Sequence, residues 1–207
     1  MKNIIGVDEV GRGSLAGPVT VGAVLLKKKT DMPPGLKDSK KLSPGQRENW
    51  FRFIRAREKE GILFFAYASV SPSVVDRLNI SRAANLAAFR AIRKVMRKSG
   101  TKTSNLKIFL DRGLKIPSGY NQTSMIKADE KIPVVSMASI AAKVSRDAYM
   151  IRASRKYPGY GFEFHKGYGT DFHRKVIRKK GPLKIHRLTF LGGFSNLKHI
   201  TRRDLRV

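Results

Sequence analysis

The sequence predicts an α/β fold in which a mixed sheet is flanked by helices. Short apolar runs suited to covered strands alternate with stretches that carry helix-start signals. The first two strands, residues 3–8 and 19–26, are separated by a glycine-rich turn at Gly11, Gly13 and Gly17 and read as an antiparallel hairpin. Residues 27–41 are polar, carry Pro33, Pro34 and Gly35, and read as a surface loop. Ser43, Pro44 and Gln46 make a capping box with proline at the first helical position, so a helix is expected to run to about Lys59. Residues 62–70 read as a strand, and Ser71 with Pro72 opens a short helix. Ser81 is expected to open a longer helix with Leu86, Phe89, Ile92, Val95 and Met96 on one face, ended by Gly100. Two further apolar runs, 106–110 ending at Asp111 and 132–135, read as covered strands. Residues 138–156 read as a helix halted before Pro158, and 170–180 as a basic helix. From Leu183 onward a small C-terminal helical and irregular segment is expected, with one final turn.

At 207 residues the chain suits one domain with a small appendage, and it has 43 Lys and Arg against 15 Asp and Glu, a formal charge of +28. Such a field draws in polyanions, nucleic acid foremost, although a halo of solvated lysines would give the same count. The absence of cysteine removes disulfides, thiolate zinc sites and cysteine nucleophiles, and leaves a reducing, cytoplasmic setting as the expectation. The apolar stretch 15–26 is too short for a bilayer, contains Pro18 and follows charged Asp8, Glu9 and Arg12, so neither a membrane span nor a targeting segment is expected. A monomer is the expected state.

Because acids are scarce, their places are informative. Asp8 and Glu9 end the first strand and Asp111 ends another, where the sheet interior meets solvent. Carboxylates converging there would repel one another unless a hard divalent cation neutralised them. Neighbouring side chains on a regular strand point to opposite faces, so Asp8 and Glu9 are expected to share a site only through a turn, a bulge or a carbonyl ligand. Taken alone, the dipeptide is more often an ordinary strand terminus with solvated acids.

The wider pattern is more specific. Residues 6–18, Gly-Val-Asp-Glu-Val-Gly-Arg-Gly-Ser-Leu-Ala-Gly-Pro, resemble the opening signature of the ribonuclease HII family. The likeness continues in order through Asp38-Ser39-Lys40-Lys41-Leu42-Ser43, Ile108-Phe109-Leu110-Asp111, Asp129 ahead of residues 139–147, Tyr160-Gly161, residues 165–170 and His186-Arg187-Leu188. It covers residues 3–190, and the chain departs from the family's glycines with Arg112 and Ala128.

This resemblance implies a ribonuclease H-like catalytic domain over residues 1–190 and a basic tail over 191–207. It implies hydrolysis of RNA strands, or single ribonucleotides, paired to DNA, with two Mg²⁺ or Mn²⁺ ions roughly 4 Å apart. Asp8, Glu9, Asp111 and Asp129 would hold the metal. Gly11, Arg12 and Gly13 would read the ribose, Lys40 would meet a phosphate, and Tyr168 would pack on the sugar of the DNA side. Products would carry 5′-phosphate and 3′-hydroxyl ends. His165, His173 and His186 lack compact zinc spacing and are expected to be hydrogen-bonding loop residues. Lys143 and Asp147, one helical turn apart, are expected to be a surface pair. The competing readings are a basic nucleic-acid binder without catalysis, an inactive homologue, and the sister ribonuclease HIII, which usually carries an added N-terminal domain; here the signature begins almost at Met1.

Overall fold

A computed structural model describes residues 3–27, 36, 42–194 and 201–205. Its five-stranded sheet has the order β3-β2-β1-β4-β5. β1 (Asn3–Val10) and β2 (Val19–Leu26) form the expected antiparallel hairpin, and β3 (Leu63–Val70) extends it antiparallel to β2. On the other side, β4 (Leu106–Asp111) runs parallel to β1 and β5 (Gln122–Met125) parallel to β4.

The eight residues of β2 are all buried because both faces of the sheet are covered. Val19, Val21, Ala23 and Leu25 point into a core shared with helix α3 (Ile80–Ser99), while Val24 and Leu26 face helices α1 (Pro44–Lys59) and α5 (Pro133–Lys156). α5 lies against β1 and β2 almost backbone to backbone. A Cβ on Gly6 would stand 2.4 Å from the Val134 carbonyl, and one on Gly22 would stand 2.2 Å from the Ala138 oxygen. The remaining helices are α2 (Pro72–Leu78), α4 (Ala128–Lys131), α6 (Phe162–His165) and α7 (Asp171–Lys180).

Helix α1 starts as its sequence predicts, with Ser43 and Gln46 each bonding the other's backbone N–H. Three expectations are corrected. The 132–135 run is no strand: Pro133 occupies the first helical position and α5 begins there, since proline suits that place and not the middle of a sheet. The sheet is completed instead by β5, whose Gln-Thr-Ser-Met sequence has no apolar alternation because it lies at an edge. Helix α3 is capped by Asn79, which has φ of 67° and accepts from the Arg82 N–H, rather than by Ser81. Its buried face is built mainly from Ala83, Ala84, Ala87, Ala88 and Ala91, with Ile92 and Val95.

The C-terminal segment is tied back to the domain. Asp76 on α2 accepts from the Leu188 and Thr189 N–H groups at 3.0 and 3.1 Å, and Leu191 and Phe194 pack with Leu15 and Ile177. No helix among the described residues is long and apolar enough to cross a membrane.

Candidate active site

The parallel ladder between β1 and β4 ends at the pair Val7 and Leu110. Beyond it the carboxyl ends of both strands open into a cleft, the usual place for a site in a sheet of this kind. Asp8 and Glu9 follow on β1, and Asp111 ends β4. One carboxylate oxygen from each of these three lies within 4.8 Å of the other two. No bulge is needed: β1 stays in register with β2 residue for residue through Val10. The acids leave opposite faces of β1 and meet at the end of the shorter ladder, so a regular strand accommodates what seemed to require a kink.

The cleft has a volume of about 360 Å³ and is lined by Asp8, Glu9, Val10, Gly11, Arg12, Gly13, Arg47, Asp111, Ser139, Lys143 and Tyr168. Burial pushes Asp8 up to about 8, the charges of Glu9, Asp111 and Asp129 add to this, and a hydrogen bond from Ser139 opposes it. Glu9 is raised as well, by burial first, with the Arg12 guanidinium at 3.3 Å working against the rise. Asp111 accepts a 2.9 Å hydrogen bond from the backbone N–H of Ala128, which fixes α4 beside β4. Asp129, next on α4, is buried at 2 % exposure and close enough to act on the charge of Asp8, but lies outside the tight group of three.

This donor set suits a divalent cation. Its atoms are hard carboxylate oxygens, and Glu9 Oε2 is buried with no hydrogen-bond partner among the described residues. The two departures from the family pattern leave the cleft open. Arg112 is exposed and does not line it, and the backbone of Ala128 supports Asp111.

Gly11, Arg12 and Gly13 form one wall. Gly11 has φ of 83°, whereas a Cβ on Gly13 would meet nothing within 4 Å, so that position faces open space at the mouth of the cleft. Arg12 bonds Glu9 and donates to Ser81 Oγ at 2.9 Å. Tyr168 forms a second wall, bridged to Ser14 and held by two bonds from the Leu15 and Ala16 N–H groups to the Gly167 oxygen. Lys40 falls outside the described residues.

Sequence reasoning gave no role to Ser139 or Arg47, both of which line the cleft, or to Arg146, which lies behind it at 1 % exposure. Lys143 and Asp147 do pair, at 2.8 Å, and Lys143 also reaches the cleft. The three histidines, distant in sequence, form one cluster: His165 stacks on His173 at 4.2 Å, and Nε2 of His173 and His186 are 3.1 Å apart. His186 Nδ1 accepts from the Leu183 N–H, so its Nε2–H donates to His173, whose Nδ1–H then donates to the Tyr168 oxygen. The cluster is a neutral buttress beneath Tyr168.

Residues 5–192 match the family model described as Ribonuclease HII. The chain belongs to the ribonuclease HII family. It is 45 % identical over 199 residues to a ribonuclease HII of Caldicellulosiruptor bescii, covering 94 % of this chain and 89 % of the relative. A ribonuclease HII of Bacillus thuringiensis is 42 % identical over 187 residues, 90 % of this chain and 68 % of that one. Among solved structures, the ribonuclease H2 of Pyrococcus horikoshii superposes with a TM-score of 0.68 at 28 % identity, covering 90 % of this chain and 93 % of the other. As a ribonuclease HII the chain is a ribonuclease H, a nucleic-acid-binding endonuclease that uses divalent metal, and the acid cluster at the ends of β1 and β4 is where such ions fit.

Proposed function

We propose that this protein hydrolyses the RNA strand of RNA/DNA hybrids and nicks duplex DNA on the 5′ side of a single embedded ribonucleotide, leaving 5′-phosphate and 3′-hydroxyl ends. The observation that carries this reading is the convergence of the Asp8, Glu9 and Asp111 carboxylates beside a glycine wall open to a sugar. Asp8, Glu9, Asp111 and Asp129 are the metal-holding, catalytic residues. A pair of bound Mg²⁺ or Mn²⁺ ions supplies activation of the attacking water and charge to stabilise the leaving 3′-oxygen.

The protein's own part is positioning. Gly11, Arg12 and Gly13 offer backbone groups to the 2′-hydroxyl, which both donates and accepts. The ion pair with Glu9 holds Arg12 at the cleft. Tyr168, at 36 % exposure, packs on the deoxyribose of the following nucleotide, where an added hydroxyl would disturb the contact. Lys40 meets a phosphate. A catalytic unit over residues 1–190 with a basic tail over 191–207 accords with a family match that ends at residue 192. We take the protein to act as a cytoplasmic monomer, a setting supported by the absence of cysteine.

The test is a DNA duplex carrying one ribonucleotide, incubated with Mg²⁺ or Mn²⁺, with both product ends mapped. A single cut 5′ of the ribonucleotide is expected, and Asp8→Asn should slow it by at least about a thousandfold while retaining binding, as for loss of a group essential to the transition state. An intact duplex with either metal would reduce the protein to a nucleic-acid binder.

A further inference from the structure

Arg146 sits in the middle of α5 and is 1 % exposed, yet it forms no ion pair among the described residues. Its guanidinium donates only to backbone carbonyls. Nε reaches the Pro18 oxygen at 3.0 Å, Nη2 the Ala16 oxygen at 3.1 Å and Nη1 the Lys166 oxygen at 2.9 Å. Residues 16 and 18 follow the glycine wall, and residue 166 leads into Tyr168, so one side chain ties the two walls of the cleft together. Both walls also touch it directly: a Cβ on Gly11 would stand 2.1 Å from its Nε, and the Tyr168 ring centroid lies 5.4 Å from its Cζ.

Burying a guanidinium without a carboxylate is costly, and an apolar residue of similar volume would pack the same space at less cost. What an apolar residue lacks is a rigid planar fork that spans separate carbonyls at fixed distances. Arg187 repeats the arrangement from the C-terminal side. It is fully buried and donates to the Gly17 oxygen at 3.1 Å and the Arg12 oxygen at 2.9 Å. Between them the two guanidiniums occupy the carbonyls of Arg12, Ala16, Gly17 and Pro18. The segment behind the sugar-facing turn is thereby held by these two side chains in addition to its backbone bonds to Gly167 and Ile185, and the guanidiniums take the carbonyls which those bonds leave over.

We propose that Arg146 is a positioning residue for ribose selection: its guanidinium sets the gap between the Gly11–Gly13 turn and the Tyr168 ring, and so the shape of the slot that accepts a ribonucleotide followed by a deoxyribonucleotide. This rests on the sugar-reading roles assigned above to that turn and to Tyr168. Arg146 touches neither the substrate nor the acid cluster in this scheme and acts through the two walls.

The test measures affinity, with Ca²⁺ in place of the catalytic ion, for two duplexes that differ only in one ribonucleotide. In Arg146→Lys, which keeps the charge but not the fork, the preference for the ribonucleotide duplex should fall by at least about tenfold while affinity for the all-DNA duplex stays within about twofold, since lost sugar contacts affect only the ribonucleotide complex. In a Tyr168→Ala background the same substitution should change the preference by less than about twofold, because the two positions act as one unit. A folded Arg146→Lys protein that keeps the wild-type preference overturns the proposal, as does an independent, additive loss in the Tyr168→Ala background. If the lysine variant shows no cooperative thermal transition, Arg146→Gln takes its place, and failure of both to fold assigns Arg146 to scaffolding and also overturns it. Absence of any preference in the wild-type protein is a different result, which removes the sugar-reading roles themselves.

Discussion

Asp8 carries the largest electrostatic strain in the site. Pushed up from 3.8 to about 8, its carboxyl binds a proton more tightly in the folded chain than in the unfolded one. The stability this gives is fully present below pH 3.8 and is lost as pH rises through about 8. In EDTA the protein should therefore lose stability between pH 5 and pH 8 through this group, by an amount on the order of a few kcal/mol. Asp8→Asn should remove that part of the slope and be more stable than wild type at pH 8. Denaturant unfolding of both proteins at the two pH values checks this; parallel curves would contradict it. Asp8, Glu9 and Asp111 were legible in the sequence because acids are rare in this chain and these three end apolar runs. Asp129 was legible only through the family resemblance. Arg146 was not legible, since an arginine among helical residues reads as a surface charge and its partners lie 128, 130 and 20 residues away.

Among the elements, the segment from α6 through His186 shows what sequence spacing conceals. His165, His173 and His186 come from two helices and a loop, and their relation rests on tertiary packing. Burial lowers His173 to about 4 and His186 to about 3, each from 6.5. Stability from the neutral rings is fully present above pH 6.5 and is lost as pH falls through about 4 and 3. Its slope opposes that of Asp8, so variants are needed to separate the two. His186→Gln keeps a donor and an acceptor but cannot take up a proton, and should shallow the acid limb by up to about 1.4 kcal/mol per pH unit. An unchanged limb between pH 6 and pH 4 would show that the cluster does not resist protonation. Elements with strong local signals, such as the capped start of α1 and the αL glycine ending α3, were readable in advance. β5 was not, because a polar edge strand has no burial pattern to betray it, and the 132–135 run was misread because a short apolar stretch suits a covered strand and a buried helix alike.

For the molecule as a whole, the fold brings a handful of acids together inside a chain of charge +28. The positive surface concentrates the polyanion, and the acids would repel it unless cations stand between. Affinity for duplex should therefore fall steeply with salt, by about three orders of magnitude from 50 to 200 mM if at least six phosphates are neutralised. A flat response would assign the basic residues to solubility alone. The α/β class and the mixed sheet followed from alternation and from the first hairpin, but the meeting of β1 and β4 followed from neither, because parallel pairing of two strands separated in the chain by β2, β3 and three helices leaves no local mark. Whether that meeting builds a metal site is decided by anomalous diffraction from crystals soaked in Mn²⁺, with Asp111→Asn as the control. A manganese peak bounded by the Asp8, Glu9 and Asp111 carboxylates is expected, lost or much weakened in the variant; manganese bound elsewhere with this cluster empty would rule the site out.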